Sequence, residues 1–360
     1  MNREILFVGS VPLKPAAAVF EHVCQLGLAP FMKRIPDGEQ GSWDGPLKNL
    51  PQNEAFEPIG SPVKFTNRPS TFFEAMESTL VNLKPGVRGQ DVIITELGIA
   101  RNAAASYPQF KQAKAEGKLP PETRFCVTMA GPGTSFSAIA LPPEELFPLV
   151  ERVYCEEIRR ILDVVPVSEL SIQLDLAGEV EIEEYRRRPG DYDMPLLNQR
   201  EPFWPMAEAV ATVAAIADSV PTKAELGFHL CALYHIDESQ GQDLNVHVDW
   251  CNALTEAISR RITYIHIPTA PSHDERDFQA LARLRLSEDT KLFIGVIHLD
   301  DGVEGARRRI AAAEKFRLDF GIASFCGLGV PSRKELHNPH PISEVFEIHR
   351  LLAEPSNRPE

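Results

Sequence analysis

The chain has 360 residues, 43% of them hydrophobic, with a formal net charge of −14 at pH 7. That is enough apolar material for a large core, and an α/β barrel occupies ~250 residues or more as one domain. The acidic balance, with no basic stripe to offset it, excludes nucleic acid and anionic membranes as expected partners, and six cysteines without Cys-x-x-Cys pairs, behind an N-terminus lacking a long apolar run, fit a reduced cytoplasmic protein with no signal peptide or membrane span.

Short apolar strands alternate with helical stretches, the pattern of a parallel α/β sheet. In chain order, strands are predicted at 5–9, 31–35, 124–129, 170–174, 225–230, 262–267, 292–297 and 320–325. Segment 91–97 is a ninth candidate, read as a hairpin or insertion beside the barrel. Amphipathic helices are predicted at 143–164, 205–218 and 302–316; in the last, Val303, Ala306, Ile310, Ala313 and Phe316 share one face, and Arg307, Arg308 and Arg309 are read as solvated. Cys24, Cys155 and Cys251 fall in helical stretches as structural residues. The expected fold is a (β/α)8 TIM barrel with a long insertion after strand two. It forms a single domain over 1–345, with 346–360 as a C-terminal tail.

Segment 40–121 breaks the rhythm. It is rich in Pro, Gly, Asn and aromatics (Trp43, Phe56, Phe65, Phe72, Phe73) and too long for an ordinary connection. An insertion at that point sits over the C-terminal mouth of a barrel, so it is read as a lid or substrate wall. An extra packing layer or a homo-oligomer contact is the alternative. A second excursion, 181–204, carries Arg186, Arg187 and Arg188 with Tyr185 and Tyr192. Its arginines are read as a solvated charge run, with a grip on a substrate carboxylate or phosphate as the alternative.

Polar and metal-binding residue types gather at the C-terminal ends of the predicted strands, where barrel enzymes place their sites. Strand one ends in Gly9-Ser10, strand two in Pro36-Asp37-Gly38-Glu39, strand three in Gly131-Pro132-Gly133 and strand four in Gln173-Leu174-Asp175. Strand five supplies His229-Leu230-Cys231, strand six His266, strand seven His298 and strand eight Cys326. Residues i and i+2 of a strand share a face, so His229 and Cys231 project together and Cys326 can meet them. Zinc is commonly held by Cys and His, and a catalytic zinc keeps three protein ligands and one open position. Taken alone, the doublet has a second reading: an interior histidine satisfied by a hydrogen bond, beside cysteines acting as small buried hydrophobes.

The ordered series Gly9-Ser10-x-Pro12, Gly38-Glu39, Thr128-x-x-Gly131-Pro132, Ile172-Gln173-x-Asp175, His229-x-Cys231 and Cys326-Gly327-Leu328 resembles the catalytic barrel of the cobalamin-independent methionine synthases. The resemblance runs from about Ile5 to about Val330, leaving the lid region unmatched. It implies zinc bound by His229, Cys231 and Cys326. The family's remaining ligand is a glutamate at the end of the next strand. Here Tyr264-Ile265-His266 stands in that place, making His266 the expected fourth ligand, with a loop carboxylate, Asp274 or Glu275, as the alternative. The resemblance further assigns Ser10, Glu39 and Asp175, with Gln173 beside them, to the amino-acid acceptor, and His298 to proton handling.

Two departures qualify it. The family's Asp-Glu-Pro-Ala reads Asp175-Leu176-Ala177-Gly178, and the N-terminal half that helps bind polyglutamylated folate has no counterpart in this sequence. The expected activity is zinc-dependent transfer of a methyl or other alkyl group to a small-molecule thiol acceptor. The donor would be a methylated metabolite or a corrinoid protein rather than folate. A zinc hydrolase or lyase on the same barrel, or a metal-free decarboxylase-like member of the superfamily, remains the alternative.

Overall fold

Strands buried on both faces are what a helix-wrapped parallel sheet requires, and the eight apolar runs meet that demand. The computed structural model describes residues 2–40, 45–64, 77–188, 205–231, 243–328 and 342–354. Its main sheet consists of β1 (Ile5–Leu6), β2 (Arg34–Pro36), β3 (Arg124–Ala130), β4 (Leu170–Asp175), β5 (Glu225–His229), β6 (Tyr264–Pro268), β7 (Lys291–Ile297) and β8 (Gly321–Ser324). All pairings are parallel, in the order β1-β8-β7-β6-β5-β4-β3-β2. A single parallel bridge from Ser10 to Gly38 closes the ring. The fold is an α/β (β/α)8 TIM barrel, as expected. β2 starts later than predicted because Ala29–Phe31 closes a 3-10 turn first.

The outer ring is α1 (Ala16–Gln25), α2 (Ile99–Ala115), α3 (Pro143–Val164), α4 (Met206–Asp218), α5 (Leu244–Ala257), α6 (Glu275–Phe278), α7 (Gly302–Ala313) and α8 (Ile342–Ala353). α3 shows why such helices form: Leu146, Leu149, Val150, Val153, Ile158 and Ile161 make one buried stripe, and Glu144 and Glu145 in its first turn complement the helix dipole.

Four expectations change. Arg309 is buried rather than solvated, donating to Asp301 and to the Val296 and Pro271 carbonyls. Segment 91–97 is no strand: Gly89–Asp91 forms a 3-10 turn and the chain then leads into α2. α2 packs between α1 and α3 as an ordinary barrel helix, so the excursion is shorter than 40–121. Its described part holds two small antiparallel pairs, Phe56–Pro58 with Val81–Leu83 and Val63–Lys64 with Glu77–Ser78. Phe56 is buried there, while Trp43, Phe65, Phe72 and Phe73 lie outside the described residues. The expected tail belongs to the barrel as far as Ala353, because Phe346 and His349 of α8 pack on Phe7 at ring distances of 4.7 and 5.3 Å.

An additional helix, Ala177–Arg187, follows β4. Its arginines are satisfied locally: Arg186 and Arg187 pair with Glu183, Arg187 also with Asp249, and Arg188 with Glu184. Tyr192 lies outside the described residues. No helix among the described residues is long and apolar enough to cross a membrane.

Period two also fills the barrel. Near the N-terminal end Arg34 donates to Glu225 at 2.7 Å and to Glu4 at 3.0 Å, and lies 4.5 Å over the Tyr264 ring. Gly227 makes room for that ring, since a Cβ there would lie 2.0 Å from it. One layer higher, the Tyr264 hydroxyl donates to Gln173 Oε1 at 3.0 Å.

Candidate metal and substrate site

Strand register assembles the mouth. Asp175 of β4 lies beside His229 of β5, and His229 beside His266 of β6. Cys231 follows two residues after His229 on the same face, and Cys326 arrives from the loop after β8. One ligand atom each from His229, Cys231 and Cys326 lies within 4.8 Å of the others. The two sulfurs are 3.5 Å apart and form no disulfide. Burial and the neighbouring Cys326 push the Cys231 thiol up, and burial, with His266 and His247 adding to it, pushes His229 well below the usual histidine value. His229 Nε2 is buried without a hydrogen-bond partner. Such a nitrogen is costly to leave unpaired. Together with two enclosed thiols it makes a donor set suited to a soft divalent ion.

A cavity opens onto these atoms, and Ser10, Glu39 and Asp175 line it with them. The turn Asp37-Gly38-Glu39 aims the glutamate inward. Asp37 Oδ1 accepts the Glu39 N–H at 2.8 Å, and Glu39 holds φ 54°, a strained value for a residue with a side chain. Gly9 is required opposite, since a Cβ there would meet Glu39 Oε1 at 2.6 Å. The Thr128 hydroxyl donates to Glu39 at 3.1 Å. Burial pushes Glu39 up to about 7. Burial and the facing Glu39 push Asp175 well above the usual carboxylate range, against the pull of Gln173, whose amide donates to it at 2.8 Å. Neither acid is a partner of Arg34 or Arg101; those pair with Glu225 and Glu4, and with Glu96.

Three predicted site residues stand elsewhere. Gln173 is fully buried below the cavity; its amide nitrogen donates to Val8 and Asp175 and its oxygen accepts from Tyr264. It positions Asp175 and offers no group to a ligand. His298 stacks on Phe325 at 5.2 Å and 6° and does not line the cavity. Burial, with the Arg309 charge, pushes it down to about 3, so it stays neutral at physiological pH. His266 lies behind His229 and outside the three-residue donor group, with Nδ1 2.7 Å from His229 Nδ1 and Nε2 3.1 Å from the Ser324 carbonyl. Of the loop carboxylates, Asp274 caps α6 by accepting the Arg276 N–H, and Glu275 pairs with Lys315. Neither joins the donor group.

Sequence reading gave no role to Thr134 and Ala177 in the cavity wall, or to Thr128 and Ser324 as supports. The signal for the last two was alternation: Thr128 stands two before Ala130, and Ser324 two before Cys326.

The fold and this cavity define a TIM barrel with a candidate Cys2His metal site at its C-terminal mouth. No protein-family model and no curated protein matches the sequence. Among solved structures the chain is similar to a B12-independent methionine synthase from Shewanella sp. W3-18-1, determined in complex with selenomethionine. The TM-score is 0.55 and the identity 13%, over 98% of each chain. At that identity the likeness is one of fold, spanning nearly the whole of both molecules.

Proposed function

We propose that the protein is a zinc-dependent methyl- or alkyltransferase acting on a small-molecule thiol, of the methionine-synthase kind. The observation that carries this reading is the convergence of a ring nitrogen and two thiols within 4.8 Å in a cavity that also holds two half-buried acids. His229, Cys231 and Cys326 would hold the metal, which when bound lowers the pKa of a thiol enough to present it as thiolate at neutral pH.

The chain's own groups then favour an acceptor carrying an amine. Glu39 and Asp175 face each other in a water-poor site, where two carboxylates cannot both ionise unless a cation joins them. An ammonium group placed between them relieves that conflict, and Gln173 and Thr128 keep the two acids in place. Ser10 adds a hydroxyl to the same wall. A methylated metabolite or a corrinoid protein is the donor.

The test is elemental analysis of protein purified without added zinc, followed by methyl transfer to amino-thiols. About one zinc per chain, absent from Cys326→Ser, supports the reading. Well-folded wild type that takes up no zinc when it is supplied removes it. Turnover that needs no thiol would replace it with a hydrolase or lyase.

A further inference from the structure

We infer that His266 is not a metal ligand but a positioning residue that fixes which nitrogen of His229 binds the metal, so that the fourth coordination position belongs to the substrate. The inference rests on the metal site proposed above and concerns how that site is built.

One proton assignment sets the next along three groups. The Ser324 carbonyl can only accept, so His266 Nε2, 3.1 Å away, carries the hydrogen. Both imidazoles are fully enclosed, and no carboxylate among the described residues hydrogen-bonds either of them, so each ring is neutral and bears one N–H. His266 Nδ1 is therefore a lone pair. The 2.7 Å contact between the two Nδ1 atoms then requires His229 Nδ1 to be the donor. That leaves His229 Nε2 as a bare lone pair, and it is the buried nitrogen with no partner.

The surroundings are fitted to this relay. Gly295 lets β7 pass close by, because a Cβ there would lie 3.0 Å from His266 Nε2 and 2.9 Å from the Ser324 carbonyl. Ser324 also donates its hydroxyl to the Cys326 carbonyl, so one residue braces both the histidine and the cysteine arms. With both His266 nitrogens engaged, three protein ligands remain among the described residues. Two thiolates and a neutral imidazole just balance a divalent ion, and an incoming thiolate adds to the set without displacing a side chain.

The experiment compares zinc-loaded wild type, His266→Ala and His266→Asn by X-ray absorption and by competition with a chelator. The expected wild-type shell is two sulfurs, one nitrogen and one light atom from solvent, the light atom giving way to a third sulfur when β-mercaptoethanol is added. His266→Ala should keep about one zinc per chain and the same protein ligands, with affinity lowered ~10–100-fold. His266→Asn returns an acceptor at the Nδ1 position and should recover part of that loss. A second imidazole in the wild-type shell, missing from His266→Ala, overturns the inference while leaving the metal site intact. Wild type that binds no zinc overturns the site and the inference together.

Discussion

At the N-terminal end of the barrel, Arg34 is enclosed by two carboxylates and an aromatic face, and its charge is met on each side. At the C-terminal end, within the same ring of strands, two acids face each other with no cation paired to them among the described residues, and His229 keeps an unpartnered nitrogen. A buried polar group left unsatisfied costs about 1–3 kcal/mol and a charge more. A barrel that completes one network and leaves the other open has spent stability where something else is meant to bind. The contrast separates residues that hold the barrel together from residues that wait for a ligand.

Variants at the two ends should therefore fail in different ways. Cys326→Ser should lower kcat/KM by at least ~10³-fold, about 4 kcal/mol, while chelator-treated wild type and variant melt alike; a large loss of stability in the metal-free variant would make the cysteine structural. Arg34→Met should do the reverse, costing about 3–5 kcal/mol in urea unfolding by stranding Glu4 and Glu225, with zinc per folded chain unchanged. Asp175→Asn should weaken the acceptor by about 1.5–3 kcal/mol, read as a raised KM for amino-thiols and little change for thiols lacking the amine.

The smallest effect is a pH dependence outside the site. Glu179 is buried beside Gly131 and Gly133, where one oxygen accepts the Gly133 N–H at 2.6 Å and the other has no partner. Burial raises it from 4.5 to about 7. The folded state thus holds this proton longer than the unfolded one. The resulting stability is present below pH 4.5 and is lost as pH rises through 7. Glu179→Gln should gain about 1–3 kcal/mol over wild type at pH 8 relative to pH 4, measured by urea unfolding. A gain that does not vary with pH would assign the effect to packing.

The barrel was legible because its signal is local: every strand is a short apolar run and alternates with a helix. Helix α2 was hidden because Pro108 and a polar composition disguise its apolar face, which placed it inside the supposed insertion. At the site, alternation sufficed to align His229 with Cys231, and strand order sufficed to bring Cys326 to them. The places of His266, Gln173 and His298 were not legible, since each turns on which atom faces which neighbour. For His266 that choice is made by a carbonyl on β8, a strand 58 residues away in the chain. Residue type and position suggested a ligand; the positioning role inferred above rests instead on the partner of each nitrogen.

The ring of strands is stitched unevenly. β3 and β4 share a register of six residue pairs, whereas β1 and β2 meet through the Ser10–Gly38 bridge and the Val11 N–H donated to the Gly38 carbonyl. Amides at that seam should therefore exchange with deuterium sooner than those of β4 and β5. Ser10 and Glu39 stand on its two sides. A wall that loosened first at this seam would part between two residues that line the cavity, with the strands carrying His229 and His266 still paired through their own register.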